Sequence, residues 1–297
     1  VDVSALKVFR EVAREGSISK AAQKLSYVQS NVTARIQQME EVLGTPLFHR
    51  HSRGITLTAA GVTMLDYADR ILALFEEAVR AVQDSPVPRG PLRIGSMEET
   101  AAARLPSLLS AFHVEYPEVD IQLSTGSTQM LVRAVLEHAV ESAFVDGPIE
   151  HEEIESVPFA QEELVVATSP LHPTVHGPQD LVKHTLYLLS HNYNKNHFTC
   201  VYRFKLEQWW REEGFLLQKT AEVGTLEGIL GCVQAGLGYA VLPRSYVEKW
   251  SPSGELKCYP LPPRYGSTTT VFIRRKDAHL TSAMKRFLES VENYAVR

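Results

Sequence analysis

Ser30, Thr33, Ala34 and Gln37 fall on one side of a helix projected at 100° per residue, with Gln29, Asn31, Arg35 and Gln38 on its flanks. A solvated helix face usually carries Glu and Lys pairs. This one is made of amides, hydroxyls, a small residue and one arginine. Amides pair bidentately with adenine edges, hydroxyls serve either kind of base, and small residues let a helix sink into the major groove. The plain alternative is a polar face with no partner. The types and spacing favour Gln29, Ser30 and Thr33 at base edges, flanked by Asn31 and Gln38. Arg35, Arg50 and Arg53 are expected to reach phosphates or the minor groove.

Other chemistry is thinly represented. His184, His191, His197 and Cys200 are the one soft-ligand cluster, a set that zinc or copper could use. No pair has the H-x3-H spacing of a helical metal site, and the stretch between them reads as loop. Cys200 stands near the start of an expected helix over 199–213, where the dipole lowers a thiol pKa, yet it has no partner cysteine nearby. A packed thiol is the simpler reading, and neither metal nor cofactor is expected. No G-x-S-x-G, Walker A or HExxH motif is present, and no G-x-G-x-x-G follows the first strand of the body, so no catalytic residue is assigned.

The polar face needs a small domain to present it. Leu6, Phe9, Val12 and Ala13 recur at helical spacing and stop at Gly16. Ser17 or Ser19 can cap a short helix holding Ala21, Ala22 and Leu25. After a turn at Ser26-Tyr27, Val28, Val32, Ile36, Met39 and Leu43 form the apolar stripe of a third helix, ended by Gly44. Leu47–Arg50 and Ile55–Leu57, separated by His51-Ser52-Arg53-Gly54, read as a two-stranded wing with basic residues at its tip. The expectation is a winged helix-turn-helix over residues 1–57.

The stretch from Phe9 to Gly61, FREVAREGSISKAAQKLSYVQSNVTARIQQMEEVLGTPLFHRHSRGITLTAAG, resembles the amino-terminal domain of the LysR-type transcriptional regulators. SISKAAQKL, VQSNVTARIQQME, LGTPLFHR and LTAAG all fall in order. The chain departs from many members where an arginine follows the Ser/Thr of the third helix: here that residue is Ala34, and Arg35 comes next. The base preference of a relative is therefore not carried over.

From Thr58 to Asp84 there is no proline, and Gly61 is the one glycine. Gly61, Leu65, Ala68, Leu72, Phe75, Val79 and Val82 alternate spacings of four and three, a heptad seam. A linker helix over 58–84 is expected, with a second copy of the chain as its partner in preference to its own domain. The resemblance implies the same pairing. A twofold protein would read a pseudo-palindromic site with half-sites about one helical turn, or a multiple, apart. Ser85 to Pro91 breaks regular structure and is read as a hinge.

The remainder, 92–297, alternates strands and helices, which implies parallel sheet covered by helices. Its length favours two lobes, one over about 92–163 and 267–297 and the other over about 164–266. This body resembles the type 2 periplasmic-binding fold that serves as effector domain in the family, and GYAVLP, Gly238 to Pro243, is similar to a recurring element of it. In open α/β sheets ligands sit at the carboxyl ends of strands, near helix N-termini. Three strand-to-helix turns carry small or hydroxyl-bearing residues there: Ser96, Met97 and Thr100; Thr125, Ser127 and Thr128; Gly224 and Thr225. They are the expected lining of an inter-lobe effector site, although each hydroxyl could simply cap its own helix. Helix ends favour an anion, and Glu98 and Glu99 oppose one, so the effector's charge stays open at this level. The resemblance further implies a homodimer or homotetramer, activation more often than repression, control of the chain's own promoter and contact with RNA polymerase.

Composition agrees. Of 297 residues, 44% are hydrophobic and 22% charged, with a net charge of −5. The first sixty residues carry eight basic against five acidic side chains, a basic head on an acidic body. Three scattered cysteines, no signal-like start and no membrane-length apolar run lead to the expectation of a soluble cytoplasmic protein. A solute-binding protein or an unconventional enzyme on the same two-lobed fold is the competing reading, and it leaves the head unexplained.

Overall fold

The computed structural model describes residues 1–51, 54–190 and 201–295. The chain divides into two compact units, with the second starting at Ser85.

In the first unit, α1 (Val3–Glu15) is capped by Asp2, whose carboxylate accepts from Ala5 N–H at 2.7 Å. Ser17 caps α2 (Ile18–Lys24) and leads by a tight turn into α3 (Gln29–Leu43). Gly16 and Gly44 close α1 and α3 at φ 60° and 66°, a left-handed conformation that favours glycine. The wing is the antiparallel pair β1 (Phe48–His51) and β2 (Gly54–Leu57). Phe9, Val12, Ala21, Val32, Ile36, Met39, Leu47, Phe48 and Ile55 share one core. Each large apolar side chain buried there contributes about 1.5–3 kcal/mol. The apolar stripe of α3 is shorter than its spacing implies. Val28 is the uncapped N-cap residue and is 69% exposed, and Leu43 is exposed as well.

Helix α4 (Ala59–Val82) follows directly. Thr58 caps it, accepting from Gly61 N–H at 2.9 Å, while its own hydroxyl donates to the Pro46 carbonyl at 2.9 Å. Gly61 is required by contact rather than torsion, because a Cβ there would lie 2.0 Å from the Leu47 carbonyl oxygen. The heptad seam divides. Gly61, Ala68 and Leu72 are buried within the head's own unit, whereas Phe75, Val79 and Val82 are exposed. Tyr67, Ile71 and Leu74 are exposed beside them, so the unpartnered apolar surface is broader than the seam.

The second unit has two lobes. In lobe I, β3 (Gly90–Ser96) lies parallel to β4 (Val119–Thr125) and β5 (Ser142–Gly147). Helices α5 (Glu98–Ala103), α6 (Leu105–Glu115) and α7 (Thr128–Leu136) connect these strands. Strand β6 (Ile154–Thr168) runs through both lobes. In lobe II, β7 (Thr185–Leu189) is parallel to β8 (Thr220–Val223) and to β9 (Gly238–Pro243), with α8 (Val201–Glu212) and α9 (Leu226–Gln234) between them. Helix α10 (Arg244–Trp250) leads to β10 (Lys257–Pro260), which pairs with β6. Finally β11 (Ser267–Arg275) inserts antiparallel between β5 and β6, and α11 (Ser282–Ala295) closes lobe I. The sheets are therefore mixed, not the parallel sheet expected from βα alternation. Ile154–Glu163 of β6 pair with β11, and Leu164–Thr168 pair with β9. The chain thus changes lobe within one continuous strand. Strand β3 begins at Gly90, inside the stretch read as hinge.

Candidate functional site

The head presents α3 as its polar face. Gln29, Ser30, Asn31, Gln37 and Gln38 are exposed, Ala34 opens a gap between them, and Thr33 is half-buried. The face is partly pre-set. Ser19 Oγ lies 3.0 Å from Gln29 Oε1, and Thr33 donates to the Gln29 carbonyl at 2.9 Å. Arg35 is held more firmly. Its Nε donates to Asn31 Oδ1 at 2.9 Å and a terminal nitrogen donates to Ser4 Oγ at 3.1 Å. Asp2 stands 4.0 Å away, and the guanidinium sits 5.8 Å from the centroid of the Tyr27 ring. Arg35 therefore ties α3 to α1, and a phosphate would have to compete with these partners. Arg50 is exposed on the wing; Arg53 lies outside the described residues. Lys20, which was not singled out from the sequence, is exposed in the first turn of α2 beside Ser19. The Ser19–Gln29 contact that brings this turn to α3 is a tertiary fact that spacing does not reveal.

In the second unit the expected effector residues separate into those that meet and those that do not. The Ser96 hydroxyl is wholly buried and donates to the Met97 carbonyl at 2.9 Å. Thr128 donates to Met97 Sδ at 3.5 Å and accepts from Asp146 N–H at 3.1 Å. The ends of β3 and β5 and the start of α7 are thereby gathered around Met97. Thr100 is buried in α5, and Ser127 Oγ accepts from Met130 N–H. Thr125 is exposed. Thr225 caps α9, accepting from Gly228 N–H at 3.0 Å, and both it and Gly224 are exposed. That turn is joined to α5 by one bond, from Leu226 N–H to Glu98 Oε1 at 3.5 Å.

Acidic groups dominate the place where the lobes meet. Tyr202 of α8 donates to Glu99 of α5 at 2.5 Å, and Thr268 of β11 donates to Asp146 of β5 at 3.1 Å. Burial, helped by the like charge of Glu99, pushes Asp146 up to about 7. Glu99 is also pushed up, mainly by burial and against the Tyr202 hydrogen bond. Glu162 differs because Arg104 grips it with two bonds of 2.8 and 3.1 Å, and Ser245 adds a third at 2.7 Å. Asp146 and Tyr202 escaped sequence reading because a lone acid in the apolar run AFVDG and an aromatic in a helix look like packing residues. Cys232 and Cys258 are free thiols. His191, His197 and Cys200 fall outside the described residues, and no metal-binding cluster occurs among the described ones.

A winged helix-turn-helix followed by a long helix and a two-lobed α/β body defines a ligand-responsive DNA-binding regulator. The chain belongs to the LysR family: residues 3–62 match "Bacterial regulatory helix-turn-helix protein, lysR family" and residues 85–295 match "LysR substrate binding domain". It is 44% identical over 294 residues to the transcriptional regulator GltR of Bacillus subtilis, covering 99% of this chain and 97% of that one. Against the regulator CzcR of Bacillus anthracis it is 43% identical over 289 residues, covering 97% and 96%. Full-length CbnR, solved in complex with its target DNA, has the same fold at a TM-score of 0.72 and 24% identity, covering 99% of this chain and all of that one. The protein is a LysR-family DNA-binding transcriptional regulator with an effector-binding domain. Among the described residues, no helix is long and apolar enough to cross a membrane.

Proposed function

We propose that paired heads read a pseudo-palindromic duplex in the cytoplasm, with α3 in the major groove and the wing along the backbone. Gln29, Ser30 and Thr33 meet base edges, Asn31 and Gln38 flank them, and Arg50 and Arg53 take phosphates. Arg35 braces the helix and supplies positive charge behind it. The uncharged amide and hydroxyl face of α3 carries this reading, since it is exposed and has few partners of its own. The broad apolar surface of α4 joins two copies, as homodimer or homotetramer. A small-molecule effector bound between the lobes, near Met97, Thr128 and Thr225, changes their closure. The linker helices pass that change to the spacing of the heads, altering DNA bend and contact with RNA polymerase and activating transcription. An effector shifts this equilibrium only by its differential affinity for the two states.

Selection of bound duplexes from a random pool tests the reading, followed by affinity against salt. Gln29→Ala is expected to relax preference at one base position by roughly 1–3 kcal/mol, and Arg50→Ala to flatten the salt slope by about one unit. A pool that yields no enriched sequence, or a Gln29→Ala protein with unchanged preference, overturns it.

A further inference from the structure

Among the described residues of the head, Asp2, Ser17 and Thr58 cap α1, α2 and α4, accepting from the N–H groups of Ala5, Lys20 and Gly61. Helix α3 departs from this pattern. Its N-cap is Val28, whose side chain can accept nothing. A serine, threonine, aspartate or asparagine there would hold a first-turn N–H, so the valine makes the helix less stable than its neighbours. Core packing does not compensate, because Val28 is 69% exposed and stands outside the buried cluster of Phe9, Val32 and Ile36. Its backbone is firmly placed all the same. Tyr27 N–H donates to the Ala22 carbonyl at 2.9 Å, and the Val28 carbonyl accepts from Asn31 and Val32 N–H at 3.0 and 3.3 Å. With φ −78° and ψ 145° the residue is extended, so its side chain leaves the helical stripe that runs on through Val32 and Ile36.

A lone exposed valine is ordinary on a protein surface. One that displaces a cap at the start of the helix whose polar face meets bases is not, since local rules are broken most often where function sets the residue. Gln29 and Ser30 follow it directly, both exposed, and Gln29 is steadied by Ser19 Oγ at 3.0 Å from its Oε1. Tyr27, on its other side, is 39% exposed and lies 5.8 Å from the Arg35 guanidinium, which leaves Val28 the more open apolar side chain at this end of α3. In the major groove one feature of a base pair is apolar: the C5 methyl of thymine, which small apolar side chains contact. Valine is branched at Cβ and has few rotamers, so it meets such a group with little loss of freedom. We propose that Val28 is a further specificity-determining residue, packing on the C5 methyl of a thymine next to the base read by Gln29. The inference rests on the reading of α3 as the groove helix and adds an apolar contact to its amide and hydroxyl ones.

Replacing thymine by uracil removes that methyl and keeps every hydrogen-bonding edge, so it tests the contact directly. Selection from a random pool first defines the preferred duplex. Affinity of the full chain is then measured by fluorescence anisotropy on that duplex and on versions with each thymine of one half-site changed in turn to uracil. One such change is expected to weaken the wild type about fourfold, the worth of one buried methyl. Val28→Ser and Val28→Ala should bind the parent duplex about fourfold more weakly and lose the response to that change. Val28→Ser, which restores a cap, should also raise the melting midpoint of the head by a few degrees, whereas Val28→Ala should not. Lost discrimination in both variants therefore cannot be laid to capping. A wild type indifferent to every uracil change overturns the proposal, as does a Val28→Ser protein that responds as the wild type does. Equal weakening of both variants on all duplexes, with the response kept, overturns it too and places the valine at the sugar-phosphate backbone. The selection separates this inference from the reading beneath it. An enriched duplex with no methyl response sinks the role of Val28 alone, and a pool with no enrichment sinks both.

Discussion

The head and the lobe junction handle charge in opposite ways. In the head, Lys24 pairs with Glu11 and Glu15 at 2.6 and 3.0 Å, Arg14 holds Asp69 at 3.0 Å, and Arg35 is held by Asn31, Ser4 and Asp2. At the junction, Arg104 pairs with Glu162, while Glu98, Glu99 and Asp146 take hydrogen bonds from Leu226 N–H, Tyr202 and Thr268 and form no ion pair with a described residue. Exposed pairs add little stability but fix where side chains stand. Buried carboxylates without cations cost stability until a proton or a ligand arrives. The head is a finished surface made to meet a rigid polymer. The junction buries its acids instead, and burial pushes Asp146 and Glu99 up.

The contrast can be broken at several points. Gly61→Ala forces a Cβ against the Leu47 carbonyl and should destabilise the head by about 3 kcal/mol. Lost hydrogen-exchange protection in α1 and α3 would report it, and unchanged protection would show that the close approach yields easily. Arg104→Met leaves Glu162, 4% exposed, as cation-poor as its neighbours. A cost of about 2 kcal/mol is expected, because among the described residues the carboxylate keeps only its bond from Ser245. Urea unfolding checks this, and an unchanged midpoint would show that the arginine contributes nothing to the fold.

Asp146 gives a comparable and signed effect. Its folded value of about 7 lies above the ordinary range, so the folded state keeps a proton that the unfolded chain has released. Stability from this group is full below about pH 4 and is lost as pH rises through 7. Between about pH 5 and pH 8 the loss should be roughly 2–3 kcal/mol. Asp146→Asn should flatten that slope and make the body more stable than wild type near pH 8. A variant with the wild-type slope would move the titration to another group. Arg35→Ala sharpens the comparison from the other side. It should cost the head about 1 kcal/mol and weaken DNA binding without changing the preferred sequence. A changed preference would instead place Arg35 at a base.

The helices of the head, their glycine ends and the wing were legible because each rests on local spacing. The polar face of α3 was legible for the same reason. What Arg35 does was not, because Ser4 and Asp2 lie on another helix. The seam of α4 was read as one stripe, although its first half is claimed by the head's own core. In the body, the alternation of strands and helices was readable, but β10, the Ile154–Glu163 part of β6 and the strand directions were not, since parallel and antiparallel strands share the same alternation. Asp146 meets Thr268 across 122 positions of sequence, and nothing local to either residue announces the other.

One consequence concerns synthesis. Strand β11 lies between β5 and β6 in lobe I, yet it begins only at Ser267, after all of lobe II. As the chain emerges from the ribosome, the sheet of lobe I waits with a gap at its centre while lobe II is made and can begin to fold. Long-range pairings of this kind close slowly and leave strand edges open meanwhile. A ribosome that stalls before Ser267 therefore holds a nascent chain whose DNA-binding head is complete but whose sensor has a missing stave, with β5 and β6 exposed as templates for the wrong partner.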